Sequence, residues 1–364
     1  MKLTIMQAAR AFILVSLFSG AALAQSPSCG PYPGCLYIPP ITYSVAVTTS
    51  VVTYTDVAGL QRSVPIAIRR PVGKPTPLPV VIWIHGGGEG LSNPLTAMNE
   101  WGTVTAQAGY LSVAGAHEIR TSRNQLCTAI GIPVEECARF PPLTWDRPSD
   151  VTAIVNELFR MNAQGPLEGQ IDVNRIAVGG HSAGSAATMS LAGSRRILFP
   201  GGPPTSMVDR RPVAFIGLSP QGPGHLGFFE TDFRKTEISW DGVTRPAMIA
   251  TGDGDARCDS AARDACEDTP MLRRIAFDRM RPPDKYLMYI NDARTFHNIF
   301  AMKTSECAEE NVPSTKCQAF ASWLVSSVLA FLDSYIEQRL TAETWLRNSF
   351  LATASGGVAQ LERQ

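Results

Sequence analysis

The sequence has no excess of either charge: lysine and arginine together number 32, and so do aspartate and glutamate. No basic run or stripe is present, so neither nucleic acid nor an anionic membrane surface is an expected partner. Charged residues are scarce, at 18% against 45% hydrophobic, which favours a large buried core. No internal repeat and no shift in composition marks a second domain, and 364 residues suit a single α/β domain. Histidine is rare, with five in the chain. None stands beside the cysteines at a spacing of zinc type, so no metal is expected, and no cofactor either.

Charge and polarity are also missing from the N-terminal stretch, and there the absence is informative. Lys2 and Arg10 flank the start, Ala11-Phe12-Ile13-Leu14-Val15 opens an apolar run, and Ala22-Leu23-Ala24 fits a small-x-small cleavage site. The run is too short to span a bilayer. Residues 1–24 therefore read as a signal peptide, with a mature chain starting at Gln25 and a secreted or periplasmic destination. The eight cysteines all follow it, as four local pairs: Cys29–Cys35, Cys127–Cys137, Cys258–Cys266 and Cys307–Cys317. An even number in an exported chain is read as disulfides, with nearest-neighbour pairing.

The stretch Arg175 to Ala187 organises the rest. Ile176-Ala177-Val178 is a short apolar strand, and Ala183-Gly184-Ser185-Ala186-Ala187 is a helix start made of small residues. Between them Gly180 and Gly184 flank Ser182 at minus two and plus two, the pattern of a nucleophile on a sharp strand-to-helix turn. Other strands are expected at Ser44 to Tyr54, Ser63 to Ile68, Val80 to Ile84, Leu111 to Val113, Val213 to Leu218, Ala247 to Thr251 and Lys285 to Ile290. Helices are expected at Asn99 to Ala108, Asp150 to Met161 and Phe320 to Tyr335. This alternation predicts a doubly wound, mostly parallel sheet flanked by helices, in one catalytic domain over residues 25–350. Residues 351–364, small and polar, are expected to be a disordered tail.

A nucleophilic serine needs a base, an acid that orients the base, and donors for an oxyanion. Where the acid and then the histidine follow the serine, His225 and His297 are available, and His225 precedes the acid loop. His297 is left as the base. The acid loop Thr251 to Asp259 follows a late strand and offers Asp255 first, then Asp253, then Asp259, with Asp292 as an outsider. His85-Gly86-Gly87-Gly88 follows the Val80 strand, and Gly87 or Gly88, with Ala183, can supply oxyanion-hole amides. His85 reads as a structural hydrogen-bonder. Phe228, Phe229, Phe233 and Trp240 read either as an apolar substrate pocket or as ordinary packing, and Arg120, Arg123 and Trp145 as rim candidates.

With His-Gly-Gly-Gly after one strand, Gly-His-Ser-Ala-Gly after another, a Gly-x-x-Asp and a late histidine, the chain resembles the α/β-hydrolase superfamily. Three segments are most similar to bacterial dienelactone-hydrolase-related and platelet-activating-factor-acetylhydrolase-like esterases: Arg147 to Asp150, Ile171 to Ile176, and Leu218 to Gly224. True dienelactone hydrolases use a cysteine nucleophile, so their substrate does not carry over. The resemblance implies an α/β-hydrolase fold and a serine esterase triad of Ser182, Asp255 and His297. The expectation is a monomeric, cofactor-independent hydrolase of small or polymeric carboxylic esters. A lipase, a polyester depolymerase or a peptidase could use the same triad, and a non-catalytic binding protein could use the same fold.

Overall fold

The computed structural model describes residues 29–87, 91–221, 240–255 and 269–364. The segment expected to be a signal peptide, Gly88, His225, Asp259, three of the four aromatics noted between the late strands, and the Cys258–Cys266 pair lie outside the described residues. Among the described residues eleven strands run in chain order: β1 (Val45–Thr55), β2 (Gln61–Pro71), β3 (Leu78–Ile84), β4 (Leu111–Gly115), β5 (Ile171–His181), β6 (Arg195–Ile197), β7 (Pro204–Ser206), β8 (Ala214–Leu218), β9 (Ala247–Gly252), β10 (Lys285–Ile290) and β11 (Ala359–Arg363). Nine helices accompany them among the described residues: α1 (Asn99–Gln107), α2 (Arg123–Ile130), α3 (Val134–Cys137), α4 (Leu143–Ala163), α5 (Ala183–Ala192), α6 (Pro270–Arg279), α7 (Ser314–Tyr335), α8 (Leu340–Leu346) and α9 (Phe350–Ser355).

Nine strands form one sheet in the order β1-β2-β4-β3-β5-β8-β9-β10-β11. The run from β4 to β10 is parallel, and the antiparallel pairs lie at the two ends. This is the expected α/β architecture, and it is compatible with an α/β-hydrolase fold. All seven residues of β3 are buried, because successive side chains leave on opposite faces and both faces are covered. Val81 and Trp83 pack with Trp101 of α1 and with Phe320, Leu324 and Phe331 of α7. Val80, Ile82 and Ile84 pack on the other face with Ile154 and Leu158 of α4 and Met189 of α5. Trp83 lies opposite Gly179 in the β3–β5 register, and a Cβ on that glycine would sit 2.3 Å from the indole. The glycine makes room for the ring, which stacks on Trp101 with centroids 5.2 Å apart.

The disordered tail is overturned. Residues 350–355 form α9, and β11 pairs antiparallel with β10 from Tyr286↔Arg363 to Ile290↔Ala359. A polar five-residue segment becomes a strand because β10 offers it a row of unpaired backbone groups. The N-terminal arm is tied to the same end of the molecule: Tyr32 donates to the Thr341 carbonyl, and Trp345 donates to that of Cys35. Helix α4 starts seven residues before the expected Asp150, carrying Pro148 inside it. Helix α7 is the one described helix long and apolar enough to cross a membrane, and 61% of its apolar window is buried in the protein. Three disulfides, Cys29–Cys35, Cys127–Cys137 and Cys307–Cys317, pair as nearest neighbours and fit an oxidising compartment.

Candidate active site

Every group of the candidate site stands beyond the carboxyl end of a parallel strand, where open α/β sheets form their crevices. Strand β5 runs through Gly180 and His181 into Ser182, whose backbone takes φ 53° and ψ −121° before α5 begins. A positive φ on a serine is a strained conformation, and close packing enforces it here. A Cβ on Gly180 would lie 2.4 Å from Gly184 backbone atoms, and one on Gly184 would lie 2.2 Å from the Ile84 carbonyl oxygen. The two flanking glycines let β3, β5 and α5 meet at the turn. Ser182 is 2% exposed, and its amide donates to the Leu218 carbonyl at 3.0 Å.

Asp255 is fully buried at the turn after β9, where its amide closes back on the Gly252 carbonyl. Its Oδ1 lies 3.1 Å from His297 Nδ1 and accepts from Ser219 Oγ at 2.8 Å, while Oδ2 accepts from Thr251 Oγ1 at 2.8 Å. Burial alone would raise its pKa. The Arg273 guanidinium and the bonds from His297 and Thr251 outweigh burial, and they hold the carboxyl below its ordinary range. Asp253 points elsewhere and accepts from the Tyr289 hydroxyl at 2.8 Å. Asp292 is engaged by Lys316. Of the described candidates, Asp255 is the carboxylate placed against the histidine.

His297 opens a short 3-10 turn after β10. Its Nε2 is buried without a hydrogen-bond partner, while Ser182 Oγ receives a long contact from the Gln221 side-chain amide at 3.4 Å. The His181 ring packs on His297 at 4.5 Å, and its Nε2 donates to the His297 carbonyl at 3.0 Å. Burial, reinforced by the neighbouring His297, pushes the His181 pKa down to about 3, so His181 stays neutral and acts as a prop.

The His85 to Gly87 turn is held from beneath. Arg147, almost wholly buried, donates to the carbonyls of His85 at 2.9 Å and Gly87 at 2.6 Å. His85 donates from Nδ1 to the Gly86 carbonyl at 2.7 Å and accepts the His117 amide at Nε2, the structural role expected of it. Gly87 takes φ 78°. A Cβ on Gly86 would come within 2.8 Å of His181 Nδ1 and 3.1 Å of Ser182 Cβ, so this turn is packed directly against the serine. Ala183 opens α5, where the first amides have no intrahelical acceptor. Gly87 and Ala183 thus stand on the two turns that meet at Ser182.

Asp146 and Asp150, on α4 beside Arg147, belong to a buried ionic cluster that fixes the helix to the sheet. Asp150 takes a bidentate bond from Arg62 and further bonds from Tyr54 and His117. Arg120 pairs with Asp146 and Asp56, so it is buried and not on a rim. Arg123 donates to the Ala138 carbonyl, and Trp145 packs against the small core around Cys127 and Cys137. Trp240 is packing: at 2% exposed it joins the core beneath α4, α5 and α6.

The sequence reading did not find Ser219, Arg273, Thr251 or Gln221. Ser219 and Gln221 lie in the Leu218 to Gly224 segment that carried the resemblance, which was the available signal. Arg273, on α6, donates to the carbonyls of Asp255 and Ser219 from full burial, and nothing local marks it. No protein-family model matches this chain, and no curated protein does.

Proposed function

We propose that the chain is a serine hydrolase of carboxylic esters. The observations that carry this reading are a strained Ser182 turn and a His297–Asp255 pair at the carboxyl end of the parallel strands, with His181, next to Ser182, bonded to the His297 carbonyl. Asp255 orients the imidazole and balances the charge it gains. His297 Nε2 takes the proton from Ser182 Oγ as the oxygen attacks the ester carbonyl. The amides of Gly87 and Ala183 receive the oxyanion, the alcohol leaves with the proton from His297, and an acyl-enzyme remains. Water, deprotonated by the same histidine, then releases the acid. The three disulfides agree with an exported enzyme.

Labelling with a fluorophosphonate probe tests the nucleophile. The wild-type protein is expected to label at one site, and Ser182→Ala to lose both labelling and turnover of chromogenic esters. Labelling that survives in Ser182→Ala refutes the assignment. A series of esters of increasing acyl length, run beside polymer films, then sorts small-ester from polymer substrates.

A further inference from the structure

The His297 to Asp255 contact is not the shortest one His297 makes. Its Nδ1 lies 2.7 Å from Ser219 Oγ and 3.1 Å from Asp255 Oδ1. We propose that Ser219 is a positioning residue that shares the His297 Nδ1 proton with Asp255 and so adds a fourth group to the arrangement of Ser182, His297 and Asp255. The inference rests on the reading of Ser182, His297 and Asp255 given above.

Hydrogen-bond accounting fixes the roles. A serine hydroxyl has one proton to give and two lone pairs to fill. Ser219 Oγ donates to Asp255 Oδ1 at 2.8 Å and accepts from Arg273 Nη1 at 2.9 Å. One lone pair is left, and it faces His297 Nδ1. The ring nitrogen must therefore carry its hydrogen there, shared between Ser219 Oγ and Asp255 Oδ1. The opposite tautomer would set a bare Nδ1 lone pair against a carboxylate. With the proton held on Nδ1, the lone pair is on Nε2, the buried atom that has no partner. Ser219 thus keeps His297 in the one tautomer that can accept a proton from Ser182.

The backbone shows that the position is built. Ser219 is wholly buried and takes φ 47° immediately after β8, with its amide donating to the Ala250 carbonyl at 2.7 Å. A non-glycine residue in left-handed backbone persists where its surroundings hold it there. Arg273 supplies that hold by bonding to the Ser219 carbonyl and hydroxyl, and to the Asp255 carbonyl at 2.7 Å. One buried arginine therefore ties the acid to the hydroxyl that sits between acid and base.

Ser219→Gly is the primary test, because glycine adopts this backbone freely and only the hydroxymethyl group is lost. Ser219→Ala serves as a second variant, and melting temperatures confirm that both fold. For the wild-type protein, proton NMR is expected to show a low-field Nδ1–H resonance that His297→Ala removes. In either Ser219 variant this resonance should move upfield, and kcat should fall by about 10- to 100-fold with KM within about twofold. A folded variant with kcat within about twofold of wild type and an unmoved resonance overturns the proposal, leaving Ser219 as packing. Wild-type protein that neither labels with fluorophosphonate nor turns over esters overturns the parent reading, and this one with it.

Discussion

Gly184 and the Ile84 carbonyl are so close that the smallest side chain on the glycine would sit 2.2 Å from the oxygen. Both partners are regular backbone, one in α5 and the other in β3, so neither can step aside cheaply. Gly184→Ala is therefore expected to cost about 2–4 kcal/mol and to displace Ser182 along with its helix. Thermal melts beside fluorophosphonate labelling check this. A variant with wild-type stability and labelling would show that the turn is looser than its packing implies.

Asp255 and Asp253 stand on one loop with opposite surroundings, and asparagine at each should separate them. Asp255→Asn removes the charge that receives His297 Nδ1 and lies beside Arg273. Its turnover should fall by roughly two to four powers of ten. Asp253→Asn loses a bond to Tyr289 and should stay within about threefold. The reverse ranking in kcat/KM would transfer the acid to Asp253.

Acid should begin to destabilise this protein once pH falls below the ordinary histidine pKa of ~6.5. Burial holds the pKa of His85, His117 and His181 below the ordinary histidine value, that of His181 at about 3. An unfolded histidine protonates near ~6.5, so below that point the unfolded chain binds protons the native state refuses. Stability is then complete above ~6.5 and falls with pH, for His181 by about 1.4 kcal/mol per unit between that point and its native value of about 3. Asp150 and Asp255 add to this further down. Their depressed native pKa values contribute stability above ~3.9, which is lost as pH falls through them. Melting temperatures taken from about pH 7.5 to 5 should drop steadily, and a flat profile would refute the neutral-histidine account.

Removing residues 359–364 should lower the melting temperature and promote aggregation. β10 reads Lys-Tyr-Leu-Met-Tyr-Ile, and all of it except Tyr289 is buried. Without β11 its backbone edge is bare, Arg274 loses Glu362 and keeps Asp278, and the Phe277 and Met280 carbonyls lose the Gln364 amide. Light scattering during a thermal ramp would show the difference. Unchanged melting and scattering would mean that β11 adds nothing to the sheet.

The strands of the parallel core were legible because burial on both faces demands nearly continuous apolar runs, as in Val80 to Ile84. The serine turn was legible for a related reason, since close approach of backbone leaves glycine as the acceptable residue at 180 and 184. β11 was not, because an edge strand borrows its order from its neighbour and its own Ala-Gln-Leu-Glu-Arg has no strand pattern. The early start of α4 was hidden by Pro148, which reads as a break. Ser219 was invisible for a different reason: its partners lie 36 and 78 residues away in sequence, and a serine after a strand is commonplace until the fold brings them together. Arg273 likewise gained its meaning from where α6 packs.

The described disulfides join residues only 6, 10 and 10 positions apart. Neither partner of any pair waits on a distant strand. Each bond can close soon after its second cysteine is synthesised, which for Cys29–Cys35 precedes every strand and for Cys127–Cys137 precedes β5 to β11. Oxidation in order of emergence then gives the native pairs directly. Among the described pairs none interleaves with another, so pairing in order of synthesis needs no crossed bond to be undone.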